Sequence, residues 1–291
     1  MELLFSNGSL IDPSPQLVSS QLQISFNDRA LQYGDGVFET MRISQGDIPM
    51  WDYHLWRLKR AEEILGLPLG DFFSQWQIFV CQHLKSIKAG TVKLIISRGD
   101  GPRGYKIPSQ IKLNWWVKVS VDSSSNVLEE ESIKLLNTSC FHLTLCQHTL
   151  SRQPLLAGLK HLNRLDQVMA RSEWSNSSGF DEGIMFNLDG DVVEGTMSNL
   201  FWIKDEQLYT PDLTQEGVDG CVRRWVIEQK LKTTPVIIQK NAKLDQLLTA
   251  DGVFVTNSLL GIKEVNKILD QKIPQCADIK VLAAKFEQQF N

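Results

Sequence analysis

The stretch Leu155-Leu-Ala-Gly-Leu-Lys160-His-Leu-Asn-Arg164-Leu-Asp-Gln-Val-Met-Ala170 joins a small-residue turn to a helical repeat. Ala157 and Gly158 supply the turn, which delivers Lys160 to the start of the repeat. Leu162, Leu165, Val168 and Met169 recur at helical spacing and predict a buried stripe. Lys160, Arg164, Gln167 and Arg171 fall on the opposite side. A lysine fixed at a turn-to-helix junction is placed to act as a covalent amine. It can form a Schiff base with a carbonyl where its surroundings keep the amine neutral. A solvated lysine on an ordinary amphipathic helix is the other reading of the same residues.

Around that stretch lies a chain of 291 residues, room for about two domains. Hydrophobic residues make up 42% and charged residues 22%, the balance of a soluble globular protein. Net charge is −4, which offers no basic field to nucleic acid or an anionic membrane. No apolar run approaches the roughly 20 residues of a membrane span. The first residues lack the basic start and long apolar core of a signal peptide. Cys81, Cys140, Cys146, Cys221 and Cys276 are scattered, without a C-x-x-C pair, which suits reduced thiols and a cytoplasmic location. Cys140, His142, Cys146 and His148 would share one face of a strand. Strand spacing is too spread out to close a tetrahedron round one ion, so no metal is expected.

In order, Leu3–Phe5, Asn7-Gly8 and Leu10-Ile11 predict a hairpin. The polar loop from Asn27 to Gly36 holds Asp28, Arg29, Tyr33 and Asp35 and feeds an alternating strand, Val37–Ile43. Asp52 is expected to cap a helix through Leu65, with Leu55, Leu58 and Leu65 as its core face and Arg57 off that stripe. A second helix is predicted over Phe72–Leu84, then strands over Thr91–Arg98 and Ile111–Val121. Asp122-Ser-Ser-Ser-Asn126 reads as a linker. It divides an N-terminal α/β domain, 1–121, from a C-terminal domain, 127–291. The latter is expected to hold strands over Ile133–Leu145, Glu182–Asn187 and Gly252–Ile262, a helix from about Gly220 to Leu231, and a last helix over Asp278–Phe290.

Glu194 closes a near-continuous apolar strand, where a bare carboxylate is costly without a partner. Gly217-Val218-Asp219-Gly220 at a helix start offers backbone N–H groups, a natural phosphate seat. Arg57 can add a bidentate contact to that phosphate, and Asn257 with Ser258 a hydroxyl and further donors. Together these elements specify a ligand with a phosphate, an aldehyde and a basic ring nitrogen.

Asn27-Asp-Arg-x-x-Gln-Tyr-Gly-Asp-Gly-x-Phe-Glu-Thr40, His54-Leu-Trp-Arg57-Leu58, Leu159-Lys160-His-Leu-Asn-Arg164, Glu194-Gly-Thr-Met-Ser-Asn-Leu-Phe201 and Gly217-Val-Asp-Gly220 stand in one order along the chain. In that order the chain resembles the fold-type IV pyridoxal-phosphate enzymes, the branched-chain and D-amino-acid aminotransferase group. Within the group, Ile96-Ser-Arg98-Gly-x-Gly-x-Arg103-Gly104-Tyr105 and Asn257-Ser-Leu-Leu-Gly261 are most similar to the aminodeoxychorismate lyases.

The resemblance implies a two-domain α/β (α+β) fold like that of D-amino-acid aminotransferase, with pyridoxal 5'-phosphate in the cleft between domains. Lys160 would hold the cofactor covalently and serve as general acid and base, and Glu194 would keep the ring nitrogen protonated. Arg57, the backbone at Val218 and Asp219, and Asn257 with Ser258 would hold the phosphate. Arg164 would lie near the ring oxygen, and Ser198 and Asn199 against the ring face. Arg98, Arg103 and Tyr105 are candidates for the substrate's carboxylates, with Tyr33 and Thr40 lining the pocket and Thr40 also a candidate catalytic residue. The implied reaction releases 4-aminobenzoate and pyruvate from 4-amino-4-deoxychorismate, a step of folate biosynthesis, in a homodimer. A branched-chain or D-amino-acid aminotransferase would use the same cofactor residues. A scaffold protein without cofactor is the third reading, opposed by the joint presence of Lys160, Glu194 and Arg57.

Overall fold

Period-two alternation governs the first half of the molecule. In the strand β3 (Gly36–Ser44), Val37, Met41 and Ile43 are buried on one side while Phe38, Thr40 and Arg42 face the other. The computed structural model describes residues 2–7, 9–11, 24–121, 140–229 and 235–290. It divides the chain into two units, Met1–Asn126 with Lys160–Asn163, and Val127–Leu159 with Arg164–Asn291. The linker expected at 122–126 lies outside the described residues, as do 133–139 of the predicted strand over 133–145. Lys160–Asn163 thus clusters with the first unit, although it lies deep in the C-terminal half of the sequence.

The first unit contains β1 (Glu2–Ser6), β2 (Ser9–Ile11), α1 (Arg29–Tyr33), β3, α2 (Trp51–Leu65), α3 (Gly70–His83), β4 (Ala89–Ser97) and β5 (Asn114–Val121). Its sheet runs β2-β1-β5-β4-β3, every neighbouring pair antiparallel. Helix α3 presents Phe72, Trp76 and Phe79, and Phe72 and Phe79 meet Trp115 of β5 edge to face. Each such fully buried aromatic contributes about 1.5–3 kcal/mol through removal of apolar surface from water. Helix α2 starts one residue before Asp52, which falls in its first turn and there complements the helix dipole rather than capping it. Gly66, at φ 63°, ends the helix in the left-handed conformation. The buried face of α2 is His54, Arg57, Leu58 and Ala61, so Arg57 lies on the inward stripe and not off it. The reason is a buried carboxylate, Glu39, on the face of β3 turned toward the helix.

The second unit is built on β6 (Cys140–Thr149), α4 (Leu165–Arg171), β7 (Glu182–Phe186), β8 (Val192–Gly195), β9 (Asn199–Lys204) and β10 (Gln207–Pro211). These are followed by α5 (Cys221–Glu228), β11 (Ile237–Gln239), α6 (Leu244–Leu248), β12 (Gly252–Asn257), β13 (Gly261–Ile268), β14 (Gln271–Lys272) and α7 (Ala277–Glu287). Its sheet runs β11-β10-β9-β12-β13-β6-β7-β8, with β14 paired to β13. Strands β8 and β9 stand far apart in that order yet are joined by only residues 196–198, so the sheet must curl. Phe141, Leu143, Ile184, Leu200, Trp202, Val253 and Val265 fill one core of the unit.

Two expectations about the opening stretch need correction. Lys160 does not start a helix, because Lys160–Leu162 is extended and hydrogen-bonded to β3; α4 begins only at Leu165. The helical stripe is also not buried: Leu165 is 76% exposed, Val168 58% and Met169 51%, while Ala170 packs inward near Trp174. The repeat correctly marks an apolar face, but that face lies on the surface of the unit.

Candidate active site

Lys160 is held by its backbone. Phe38 N–H donates to the Lys160 carbonyl at 3.0 Å and Leu162 N–H to the Gly36 carbonyl at 3.0 Å, with Val37 opposite His161. This pairing puts the Lys160 side chain on the same face of the sheet as Phe38, and its Nζ lies 4.5 Å from that ring's centroid. Gly36 is needed here, since a Cβ would stand 2.2 Å from the Ile96 carbonyl oxygen. Thr40 is half-buried on the same face, two residues along.

On the opposite face of β3, Glu39 is buried and wholly occupied. Arg57 donates to both its oxygens, at 2.8 and 2.5 Å, and His54 Nδ1 lies 2.7 Å from Oε2. Burial alone would raise the Glu39 pKa, but the charges of Arg57 and His54 and their hydrogen bonds outweigh it and hold the carboxyl down at about 2. Arg57 thus uses the bidentate geometry expected at a phosphate to grip Glu39.

The 27–40 loop is an ordered network. Asp28 caps α1 through the Ala30 N–H and accepts from Ser97 and Asn114. Asp35 accepts from Arg29 Nε at 2.7 Å and Arg98 Nε at 2.8 Å, and these guanidinium groups keep its carboxyl below the usual range against the opposing effect of burial. Arg98 also donates to the Leu65 and Gly66 carbonyls at the end of α2. A substrate carboxylate would have to displace these bonds, which tie Arg98 to Asp35 and the end of α2. Arg29 donates to the carbonyls of residues 104–106 and so shapes the loop that carries Arg103 and Tyr105. Both are exposed, with the Tyr105 ring 5.2 Å from that of Tyr33.

In the second unit the carboxylate of Glu194, at the end of β8, is buried among N–H donors. Val218 N–H donates to Oε2 at 2.8 Å; the Asn199 and Gln167 amides approach at 3.4 Å. Burial pushes the Arg164 guanidinium down in pKa, while Glu194 and Asp166 favour its charge. The N–H groups of Val218 and Asp219, expected at the phosphate, donate instead to Glu194 and to the Gly158 carbonyl. Asn199 braces the same loop by donating to the Val218 carbonyl and accepting from Gly220 N–H, so it supports the loop where a ring contact was expected. The first turn of α5, by contrast, keeps N–H groups with no carbonyl within the helix to bond, an arrangement able to receive an anion. Gly220 at its N-cap admits no side chain, since a Cβ would lie 2.1 Å from Asn199 Oδ1.

Asn257 folds the turn after β12, donating to the Met197 carbonyl and accepting from Leu259 and Leu260 N–H; Ser258 beside it is half-buried. Thr256, one residue earlier, pairs in register with Asn199, and its buried Oγ1 has no hydrogen-bond partner among the described residues. An orphaned hydroxyl near a helix N-terminus fits a phosphate group.

Glu182, Glu39 and Thr256 carry no role in the sequence reading. Glu182, fully buried at the start of β7, accepts from Thr196 N–H and Oγ1, Met197 N–H and Ser198 Oγ, and so holds the turn between Glu194 and Asn199. Ser198, expected at the ring face, donates its hydroxyl to Glu182. A buried acid preceding a strand, with Thr and Ser clustered in a later turn, is the signal that points to such a clamp.

The Cys140–His148 run separates as the strand bulges. Cys146 lies in an apolar cluster that raises its thiol pKa to about 12, His148 pairs with Asp166, and His142 bonds the Leu269 carbonyl.

The Amino-transferase class IV family model matches residues 36–268. An aminodeoxychorismate lyase of Vibrio harveyi is 36% identical over 248 residues, covering 85% of this chain and 88% of that protein. Among solved structures, a 4-amino-4-deoxychorismate lyase from Pseudomonas aeruginosa superposes with a TM-score of 0.82 at 33% identity, over 98% of each chain. The branched-chain aminotransferase of Thermoproteus uzoniensis shares the fold, with a TM-score of 0.80 at 19% identity over 98% of this chain and 93% of that one.

Proposed function

Because this chain belongs to the class IV aminotransferase family, we propose that it is a pyridoxal-phosphate-dependent lyase converting 4-amino-4-deoxychorismate to 4-aminobenzoate and pyruvate. The single observation that carries the reading is the lysine whose backbone is pinned to β3 and whose amine rests on the Phe38 ring. Similarity to named lyases at 36% and 33% identity favours elimination over amino-group transfer.

Pyridoxal phosphate, when bound, supplies a ring that takes up the electron pair of a C–H bond broken beside the reacting nitrogen. Lys160 would bind it through Nζ. The first turn of α5, Thr256 and Ser258 would hold its phosphate. Glu194, oriented by Val218 N–H and the two amides, would keep the ring nitrogen protonated. Lys160 Nζ would take the proton from the carbon that bears the substrate's nitrogen. The enolpyruvyl oxygen leaves from the adjacent carbon, and the six-membered ring becomes aromatic. Aromatisation drives that elimination, so the residues mainly orient the C–H bond and hold the substrate's carboxylates.

Borohydride reduction, digestion and mass analysis test the first step: a pyridoxyl label is expected at Lys160, and a label elsewhere or none overturns the reading. Assay of pyruvate and 4-aminobenzoate, beside amino transfer to 2-oxoglutarate, tests the reaction. Turnover only with 2-oxoglutarate would make the chain an aminotransferase.

The enzyme acts as a homodimer in the cytoplasm. The exposed Leu165, Val168 and Met169 of α4 support a subunit contact, and five free cysteines support a reducing compartment. Val168→Asp is expected to shift the sedimentation profile from dimer to monomer. A wild-type chain that sediments as a monomer at micromolar concentration would remove the dimer from the proposal.

A further inference from the structure

We infer that Lys93 receives a carboxylate of the substrate and selects substrates that carry one across the ring from the reacting amine. The inference rests on the lyase reading and names the substrate contact left unassigned once Arg98 is turned inward.

Three placements in the first unit converge on Lys93. Register comes first. Lys93 on β4 stands directly opposite Thr40 on β3, and Lys118 on β5 directly opposite Lys93. Side chains directly opposite in an antiparallel pair share a face, so Thr40, Lys93 and Lys118 form one row across three strands. Lys160, Phe38 and Ile95 form the row beside it, because Phe38 pairs with Lys160 on one side and Ile95 on the other.

The second placement is the Phe38 ring. Lys160 Nζ lies 4.5 Å from its centroid and Lys93 Nζ 5.9 Å from the same point. One aromatic ring therefore lies beside both the amine of the proposed chemistry and a second ammonium group. An aminocyclohexadiene carboxylate has this design: an amine at one end to react at Lys160 and an anion at the other.

Charge is the third. Like charges directly opposite in a sheet are destabilising. Lys93 and Lys118 pair so in register, and Lys93, exposed at the end of a flexible stem, can reach an incoming carboxylate. Arg98, by contrast, is buried against Asp35 and the end of α2.

The test uses the holoenzyme and two probes of nearly identical shape, 4-aminobenzoate and the uncharged 4-aminobenzamide, titrated calorimetrically into wild type, Lys93→Gln and Lys93→Arg. Wild type is expected to prefer the carboxylate by tenfold or more. Lys93→Gln should lose that preference, and Lys93→Arg should keep most of it. In turnover, Lys93→Gln should raise KM for aminodeoxychorismate about tenfold or more while kcat stays within about threefold. Absence of a carboxylate preference in wild type, or its survival in Lys93→Gln, overturns the assignment. A wild-type enzyme that makes no 4-aminobenzoate yet shows the Lys93-dependent preference would overturn the lyase reading and leave the carboxylate site standing.

Discussion

Glu39 and Glu194 are both buried carboxylates at the heart of their units, yet their surroundings are opposite in kind. Glu39 meets cations: the Arg57 guanidinium grips both oxygens and His54 takes a third contact. Glu194 meets N–H dipoles from Val218, Asn199 and Gln167, which orient the carboxylate, with the charge of Arg164 nearby. The first arrangement closes on itself and serves the fold. The second is held chiefly by N–H dipoles, which suits the proposed contact with a protonated pyridine nitrogen.

The largest effect that sharpens the contrast is expected from Glu39→Gln. It leaves the buried Arg57 charge uncompensated and should cost about 3–5 kcal/mol in denaturant unfolding. Glu194→Gln should instead cost about 10²–10³-fold in kcat, the scale of a lost electrostatic contact at a reacting centre, with a melting curve close to wild type. A Glu194 variant that unfolds like the Glu39 variant would erase the distinction.

Acid offers the next, somewhat smaller effect. The Glu39 pKa near 2 in the folded chain lies below its ordinary value of 4.5, so its stabilisation is fully present above pH 4.5 and fades as pH falls toward 2. The difference corresponds to about 3 kcal/mol, and the urea midpoint should fall steadily from pH 5 to pH 3. A midpoint that does not move over that range breaks the Glu39 half of the comparison. The smallest effect belongs to Glu182→Gln, about 1–3 kcal/mol, since donors in the 196–198 turn would then face an amide N–H₂. Its cofactor absorbance maximum should shift as Glu194 is displaced, which a remote structural defect would not produce.

The sequence motifs made the family and the two-domain fold legible, and they singled out Lys160 and Glu194 because a glycine turn and an acid closing an apolar strand are local signals. Partners distant in sequence were not legible. Glu39 stands inside the motif that ends at Thr40, but its meaning depends on His54 and Arg57, which are 15 and 18 residues away on a helix packed above it. Arg98 and Arg57 look alike in sequence as cations near loops; only the carboxylates opposite them reveal that both turn inward. Val218 and Asp219 lie three and two residues before α5 and bond Glu194 and Gly158, and sequence cannot say which N–H groups a loop uses on itself. The α4 repeat, for its part, marks an apolar face and is silent about what covers it.

One feature of the lysine segment reaches beyond catalysis. β3 is the outermost strand of its sheet, and strands in that position tend to recruit other chains through open rows of N–H and C=O groups. Residues 160–162 lie along that rim and take up hydrogen bonds at Gly36 and Phe38. The peptide that carries Lys160 thereby also covers the start of that edge against strand pairing by another chain. Variants that loosen it should become prone to precipitation as well as slow, two symptoms of one displaced ribbon.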